Sequence, residues 1–330
     1  MTDLELLSIG DATWDVFVTP SESETFCEVN TEDEMIAFKF GDKIPVRSME
    51  YSIGGNAANN AVGTRRLGIK SAPLVTLGDD SIANQIAEKF VTEGVDTSYV
   101  FRQKNSGTNY STVIVAGGER TIFTYKHPRD YQLPLEFPKV SWAYLTSLGD
   151  NFEDVYQKVA EWIQKNPEIK LAFNPGSRQV RAGLEKIKNV LAVSYAIYIN
   201  RKEAEEITGQ TNTKGKEREL LTAVSQLGPR LSIITDGPEG SFAYDGDKFY
   251  KAGIVKLSSY ERTGAGDSFG SGCIAALIKG KPLGEAILWG TVNSASVIGY
   301  AGAQRGLLKV EEIDKWLMMA KGNGVVVEEF

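Results

Sequence analysis

Short apolar runs that alternate with longer amphipathic segments constrain this chain more than any other feature. Trp142 to Leu148 reads as a strand, Phe152 to Gln164 as a helix and Lys170 to Phe173 as a strand. Val180 to Asn189 then reads as a helix, and Ala196 to Ile199 and Leu231 to Thr235 as strands. The rhythm starts earlier, with strands at Leu4 to Ile9 and Ala72 to Leu77 and a helix from Ile82 to about Glu93 closed by Gly94. Such repetition predicts a parallel sheet wrapped by helices, with ligands at the carboxyl ends of its strands.

Two stretches break the rhythm. Residues 19 to 34 are polar and acidic and read as a solvated excursion, after which Met35 to Phe40 and Val46 to Ile53 read as short strands. Asn109 to Ala116 and Glu119 to Lys126 flank Gly117-Gly118, which is a hairpin pattern. Joined, these pieces form one small β lid over residues 16–52 and 99–126, inserted into an α/β core of residues 1–15, 53–98 and 127–330. A purely structural hairpin, or a surface that pairs two chains, would carry the same pattern.

Composition excludes several classes. A 42% hydrophobic and 24% charged chain of 330 residues is ordinary for a soluble globular protein. A net charge of −7 lacks the basic footprint expected of a nucleic-acid binder, although a nucleotide needs only a local positive field. No apolar run reaches the ~18 residues of a membrane span, and the start, Met1-Thr2-Asp3-Leu4-Glu5, has no signal-like pattern. Cys27 and Cys273 make neither a disulfide framework nor a zinc spacing, so a reducing, cytoplasmic setting is expected. The single histidine, His127, stands before Pro128 and reads as a loop residue, which excludes histidine metal clusters.

The chemistry concentrates late in the chain, at Arg262-Thr263-Gly264-Ala265-Gly266-Asp267-Ser268-Phe269. A glycine turn there opens a helix that runs through Ile274 and Leu277. The first turn of a helix leaves its N–H groups without partners and carries the positive end of the dipole, so it attracts phosphate. Asp267 falls in that turn. An aspartate that only caps a helix would not require glycines at 264 and 266, which permit close backbone approach to a ligand. Neither a dinucleotide fingerprint after the first strand nor a G-x-x-x-x-G-K-[ST] loop is present.

Thr263 to Phe269 resembles the second signature of the PfkB/ribokinase family of carbohydrate and nucleoside kinases. Gly54-Gly55-Asn56-Ala57-Ala58-Asn59-Asn60 through Gly68 is similar to the first. The resemblance implies a ribokinase-like three-layer α/β/α core with a mostly parallel sheet and a small β lid. It further implies phosphoryl transfer from ATP, with Mg²⁺, to a sugar hydroxyl. Asp267 would accept the hydroxyl proton, and the backbone of Gly264, Ala265, Gly266 and Asp267 would form an anion hole. Asp15, Gly54, Gly55, Asn59 and Asp267 would contact the substrate. Asn200-Arg201-Lys202-Glu203 matches an N-x-x-E element, placing Asn200 near the nucleotide and Glu203 at the magnesium. Thr235, Gly237 and Gly240, in the turn after the strand at Leu231, and Asn293 would complete the nucleotide site.

Three departures bear on the details. Glu261-Arg262 replace a frequent Asp-Thr that helps to ligate a monovalent cation, which weighs against potassium (K⁺) dependence. Asn56-Ala57 stand where ribokinase itself usually has Lys-Gly, and Leu148-Gly149-Asp150 where it places a sugar-binding Glu, so ribose is not singled out. The expectation is a sugar kinase, with a homodimer through the lid as the associated assembly. A nucleoside kinase of the same family is the first alternative, and a catalytically silent nucleotide or sugar sensor the second.

Overall fold

Side chains of the first strand divide between two faces. Leu7 and Ile9 enter one apolar core and Leu6 another, all without solvent exposure, as the two-residue period of a strand demands when both sides are covered. The computed structural model describes residues 4–21, 36–116, 119–257 and 262–330. Its strands are β1 (Leu6–Ile9), β2 (Thr13–Pro20), β3 (Val46–Gly54), β4 (Ser71–Leu77), β5 (Val100–Arg102), β6 (Tyr110–Ala116) and β7 (Glu119–Tyr125). They continue with β8 (Trp142–Leu145), β9 (Lys170–Phe173), β10 (Ala196–Asn200), β11 (Leu231–Thr235), β12 (Ser241–Tyr244), β13 (Phe249–Ala252) and β14 (Val327–Glu329). The helices are α1 (Asn56–Arg66), α2 (Ser81–Thr92), α3 (Phe152–Lys165), α4 (Ser177–Arg181) and α5 (Leu184–Val193). After them come α6 (Arg201–Thr208), α7 (Glu217–Ser225), α8 (Ala265–Ile278), α9 (Leu283–Val297) and α10 (Val310–Gly322).

Ten strands form one sheet in the order β14-β13-β12-β11-β10-β9-β8-β1-β4-β5. Neighbours from β11 to β5 are parallel, and β12, β13 and β14 add an antiparallel edge. Helices α3, α5, α6 and α7 pack on one face through residues such as Val155, Ile187, Ile207 and Leu220. Helices α8, α9 and α10 cover the other through Phe269, Ile287 and Ile313, and α1 and α2 adjoin them. The result is the three-layer α/β arrangement with a mostly parallel sheet. Because β1 lies between β4 and β8, the chain winds first one way and later the other, and the crevice for a ligand opens beyond the ends of β1 and β8.

A second sheet, β3-β2-β6-β7, stands beside this crevice; its β2–β6 pair is parallel and the outer pairs antiparallel. Thr13 to Asp15 already belong to it, whereas Val100–Arg102, expected with the lid, pair with β4 in the large sheet. No strand forms over residues 36–40, which have no strand partner among the described residues; Met35 and Gly117-Gly118 lie outside them. The single helix expected from Val180 to Asn189 is two, α4 and α5, because Gly183 adopts φ 97° and breaks the helical path.

Helix α1 is held to β1 by a buried pair: the Ser8 hydroxyl donates to Asn60 Oδ1 at 2.7 Å, and both residues have no exposure. Replacing Ser8 with Ala strands that oxygen away from water. Chemical denaturation of Ser8→Ala is expected to show a loss of about 1 to 3 kcal/mol; an unchanged midpoint would show that the pair does not fix α1.

Candidate active site

The sequence gives the start of α8 no polar cap. Its N-cap is Gly264, in the left-handed region at φ 77°, and no side chain caps the helix. A Cβ at Gly264 would overlap Ala303, so the bend is pressed against the segment that follows α9. Ala265 N–H reaches Arg262 O at a long 3.3 Å, and among the described residues the amides of Gly264, Gly266 and Asp267 make no hydrogen bond. Unpaired donors at the positive end of a 14-residue helix form a ready anion site.

That bend separates two cavities. One, of about 200 Å³, lies between the sheets and is lined by Asp11, Thr13, Asp15, Gly55, Asn56, Asn59, Ser111, Thr124, Lys126, Ser147, Gly264 and Asp267. Tyr110, Val113, Ile122, Tyr125, Thr263 and Ala303 complete the lining, so hydroxyl-binding groups share the cavity with apolar ones. The other, of about 180 Å³, is lined by Thr235, Gly237, Gly240, Ile254, Val255, Ala265, Gly266, Phe269, Thr291, Ser294 and Ala295. Its apolar walls with a few polar groups suit a planar base. The amides of the bend stand between the two.

Asp267 is half-buried, and Asn59 Nδ2 donates to its Oδ2 at 2.7 Å. Burial pushes the carboxyl up to about 6 and the Asn59 bond opposes the rise. Beneath it the Tyr198 hydroxyl donates to Gly266 O at 2.7 Å, and the Tyr198 ring stacks on Phe269 at 5.4 Å. A Cβ at Gly54 would displace the Asp15 carboxylate, which is itself buried in the same cavity.

Of the residues expected in the site, the structure brings Asp15, Gly54, Gly55, Asn59, Gly264 and Asp267 to the first cavity or its wall. Thr235, Gly237, Gly240, Ala265 and Gly266 line the second. Asn200 and Glu203 form a capping box on α6: Glu203 N–H donates to Asn200 Oδ1 at 2.9 Å, and Asn200 N–H to Glu203 Oε2 at 3.1 Å. Ser177 donates to Oε1 at 3.1 Å, and burial raises the Glu203 pKa. Asn293 requires a correction. It has no exposure, its Nδ2 donates to Ser268 O and Ser271 Oγ, and its Oδ1 accepts from Leu308 N–H, so nothing remains for a nucleotide. Its role is to tie α9 to α8.

Sequence reasoning missed Asp11, Lys126 and Tyr131. Lys126 Nζ lies 3.0 Å from Asp11 Oδ2, and the Tyr131 hydroxyl donates to Oδ1 at 2.9 Å. Asp11 at the end of β1 was visible as a carboxylate at a strand's carboxyl end, but nothing in the sequence links it to a lysine at the far end of a hairpin.

Comparison with known proteins identifies the family. Residues 22–310 match the family described as pfkB family carbohydrate kinase, and the chain belongs to it. It is a phosphotransferase of that family. An ATP-dependent 6-phosphofructokinase of Thermoanaerobacterium thermosaccharolyticum is 25% identical over 85% of this chain and 89% of its own length. A ribokinase of Haemophilus influenzae is 26% identical over 84% and 92%. Among solved structures, Arabidopsis thaliana ribokinase complexed with ribose and ATP superposes with TM-score 0.78 at 20% identity, covering 96% of this chain and 99% of that one. A Methanocaldococcus jannaschii nucleoside kinase gives TM-score 0.77 at 19% identity, covering 95% and 98%.

Two outcomes test the site. Asn293→Ala should cost about 2 to 4 kcal/mol in stability and leave the KM for ATP unchanged; a raised KM with normal stability would return Asn293 to the nucleotide. Asp267→Asn should stabilise. An acid whose folded pKa lies above its unfolded one contributes stability below the unfolded pKa that is lost as pH rises through the folded pKa. Removing the charge therefore gains up to about 3 kcal/mol at pH 8 and nothing below about pH 4. Denaturation at both pH values checks the sign.

Proposed function

We propose that the protein transfers the γ-phosphoryl group of ATP to a hydroxyl of a small sugar. The observation that carries this reading is the placement of the glycine bend, whose amides make no hydrogen bond among the described residues, and of Asp267, between a cavity with many hydroxyl-binding groups and an apolar one. The likeness to a ribokinase bound to ribose and ATP supports it.

Asp15 and Asn59 would fix the sugar, with two carboxylate oxygens able to accept from neighbouring hydroxyls. The attacking oxygen would be set against Asp267, which takes its proton. The amides of Gly264, Gly266 and Asp267 would hold the phosphoryl oxygens as charge spreads over them, a role that requires positioning and fixed dipoles more than strong basicity. Thr235, Gly237 and Gly240 would seat the nucleoside end. Among the described residues no cluster of three or more acids, histidines or cysteines could cage a metal. Mg²⁺ suits that composition, since it takes phosphate oxygens and water and needs only one protein carboxylate, for which the half-buried Glu203 would serve; there it would neutralise phosphate charge. The small sheet would act as the lid that excludes water. Its exposed Met49, Tyr51, Phe123 and Tyr125 offer a surface through which two copies would pair. No helix among the described residues is long and apolar enough to cross a membrane.

An ATP-consumption screen with Mg²⁺ across pentoses, hexoses, keto-acid sugars and nucleosides tests the assignment. Phosphorylation of a free sugar is expected. Turnover of adenosine or inosine and of no sugar would move the acceptor to nucleosides, and tight binding without turnover would mark a sensor. In the active pair, Asp267→Asn should lower kcat by at least about 100-fold with KM little changed.

A further inference from the structure

We propose that Gln304 is a positioning residue for this reaction: it holds the Asn59 amide so that the NH₂ group, and not the oxygen, meets the Asp267 carboxylate. The proposal rests on the reading of Asp267 as the proton acceptor. Gln304 lies in the segment after α9 and is 3% exposed. Its Nε2 donates to Asn59 Oδ1 at 3.0 Å, and Asn59, 2% exposed, passes the sequence on by donating to Asp267 at 2.7 Å.

A carboxamide has nearly the same shape either way round, so burial alone does not orient it. Only its hydrogen-bond partners distinguish the ends. With a donor at Oδ1, the Asn59 NH₂ has to face the carboxylate. Without one, only the carboxylate itself selects the NH₂ end; with an acceptor in its place the amide is drawn to turn, and an oxygen against the carboxylate disfavours the ionised acid.

Gln304 is itself anchored. Its backbone carbonyl accepts from Arg66 Nη1 at 2.8 Å, and Arg66 grips Glu93 through two bonds of 2.8 and 2.7 Å, holding that carboxyl down to about 2. Arg66 ends the same helix that carries Asn59, so donor and acceptor share one frame. The neighbouring Ala303 buttresses Gly264, which ties the segment to the bend as well.

The other groups near Asp267 are Tyr144 from β8 and Tyr198 from β10, with Cys273 of α8 beside those two phenols and Asp11, Asp15 and Lys126 around the cavity. Burial raises both phenols and pushes the thiol up to about 12, so these three stay neutral through the working range.

The test compares the intact enzyme with Gln304→Glu, which replaces the donor by an acceptor, and Gln304→Met, which only deletes it. Two quantities are read: the pH dependence of kcat/KM, and the carbon-13 NMR titration of the Asp267 carboxyl, identified by its absence in Asp267→Asn. In the parent the acidic limb is expected near pH 6. Gln304→Glu should move both limb and titration up by about one pH unit, Gln304→Met by less, with the KM for ATP unchanged and turnover recovering at alkaline pH. In an Asn59→Ala background the uncharged Gln304→Met change should add no further shift, whereas the charge of Gln304→Glu still acts through space.

Activity lowered equally at every pH, or an unmoved Asp267 titration in either folded variant, overturns the proposal. If the parent phosphorylates no acceptor, the kinase reading falls, yet the titration still decides whether Gln304 sets the proton affinity of Asp267. Should Gln304→Glu fail to fold, the Gln304→Met titration decides alone.

Discussion

The bond between Asn59 and Asp267 joins residues 208 positions apart and is the contact on which the site depends. It requires α1 and α8 to lie side by side on one face of the sheet, which they do. It also requires the first turn of α8 to begin in a left-handed glycine, because any side chain at 264 would collide with Ala303. The donors of the bend and the acid beside them are therefore one feature, and the packing of two helices sets their geometry.

That feature works against stability. Keeping Asp267 charged in a half-enclosed site costs free energy, as its raised pKa shows, and Asn59 recovers only part of it. Local sequence rules would place a capping side chain at Gly264 and satisfy a donor within the protein. Ala303 leaves no room for such a side chain at Gly264, so the donors of the bend are met from outside the helix, as a bound anion would meet them.

The core of the fold was legible because parallel strands and crossover helices have different periods, and the bend was legible because Gly264, Gly266 and Asp267 are adjacent. Long-range pairings were not. Asp11, Lys126 and Tyr131 come from a strand end, a hairpin end and a loop, and no spacing announces that they meet. Asn293 shows the converse failure: a polar residue on a helix near a site looks the same in sequence whether it faces a ligand or fastens two helices together. The break at Gly183 was hidden because the apolar periodicity runs through it, and only the positive φ reveals the turn.

The missed cluster explains how the two sheets are held in register across the cavity. Chain leaving β1 at Gly10 passes directly into β2, so one side of the small sheet is tethered covalently to the core. Its other side ends at β7, and there Lys126 reaches back to Asp11. Asp11 is 4% exposed and also accepts from Tyr131, whose hydroxyl in turn receives the Gly149 amide after β8. The carboxylate thus has two partners, an ammonium from the small sheet and a phenol from the core. Without the phenol, parting Asp11 from Lys126 would leave a buried charge unpaired at a cost of several kcal/mol. The second partner lowers that penalty, so the small sheet is joined to the core by a contact that the Tyr131 hydroxyl makes less costly to break.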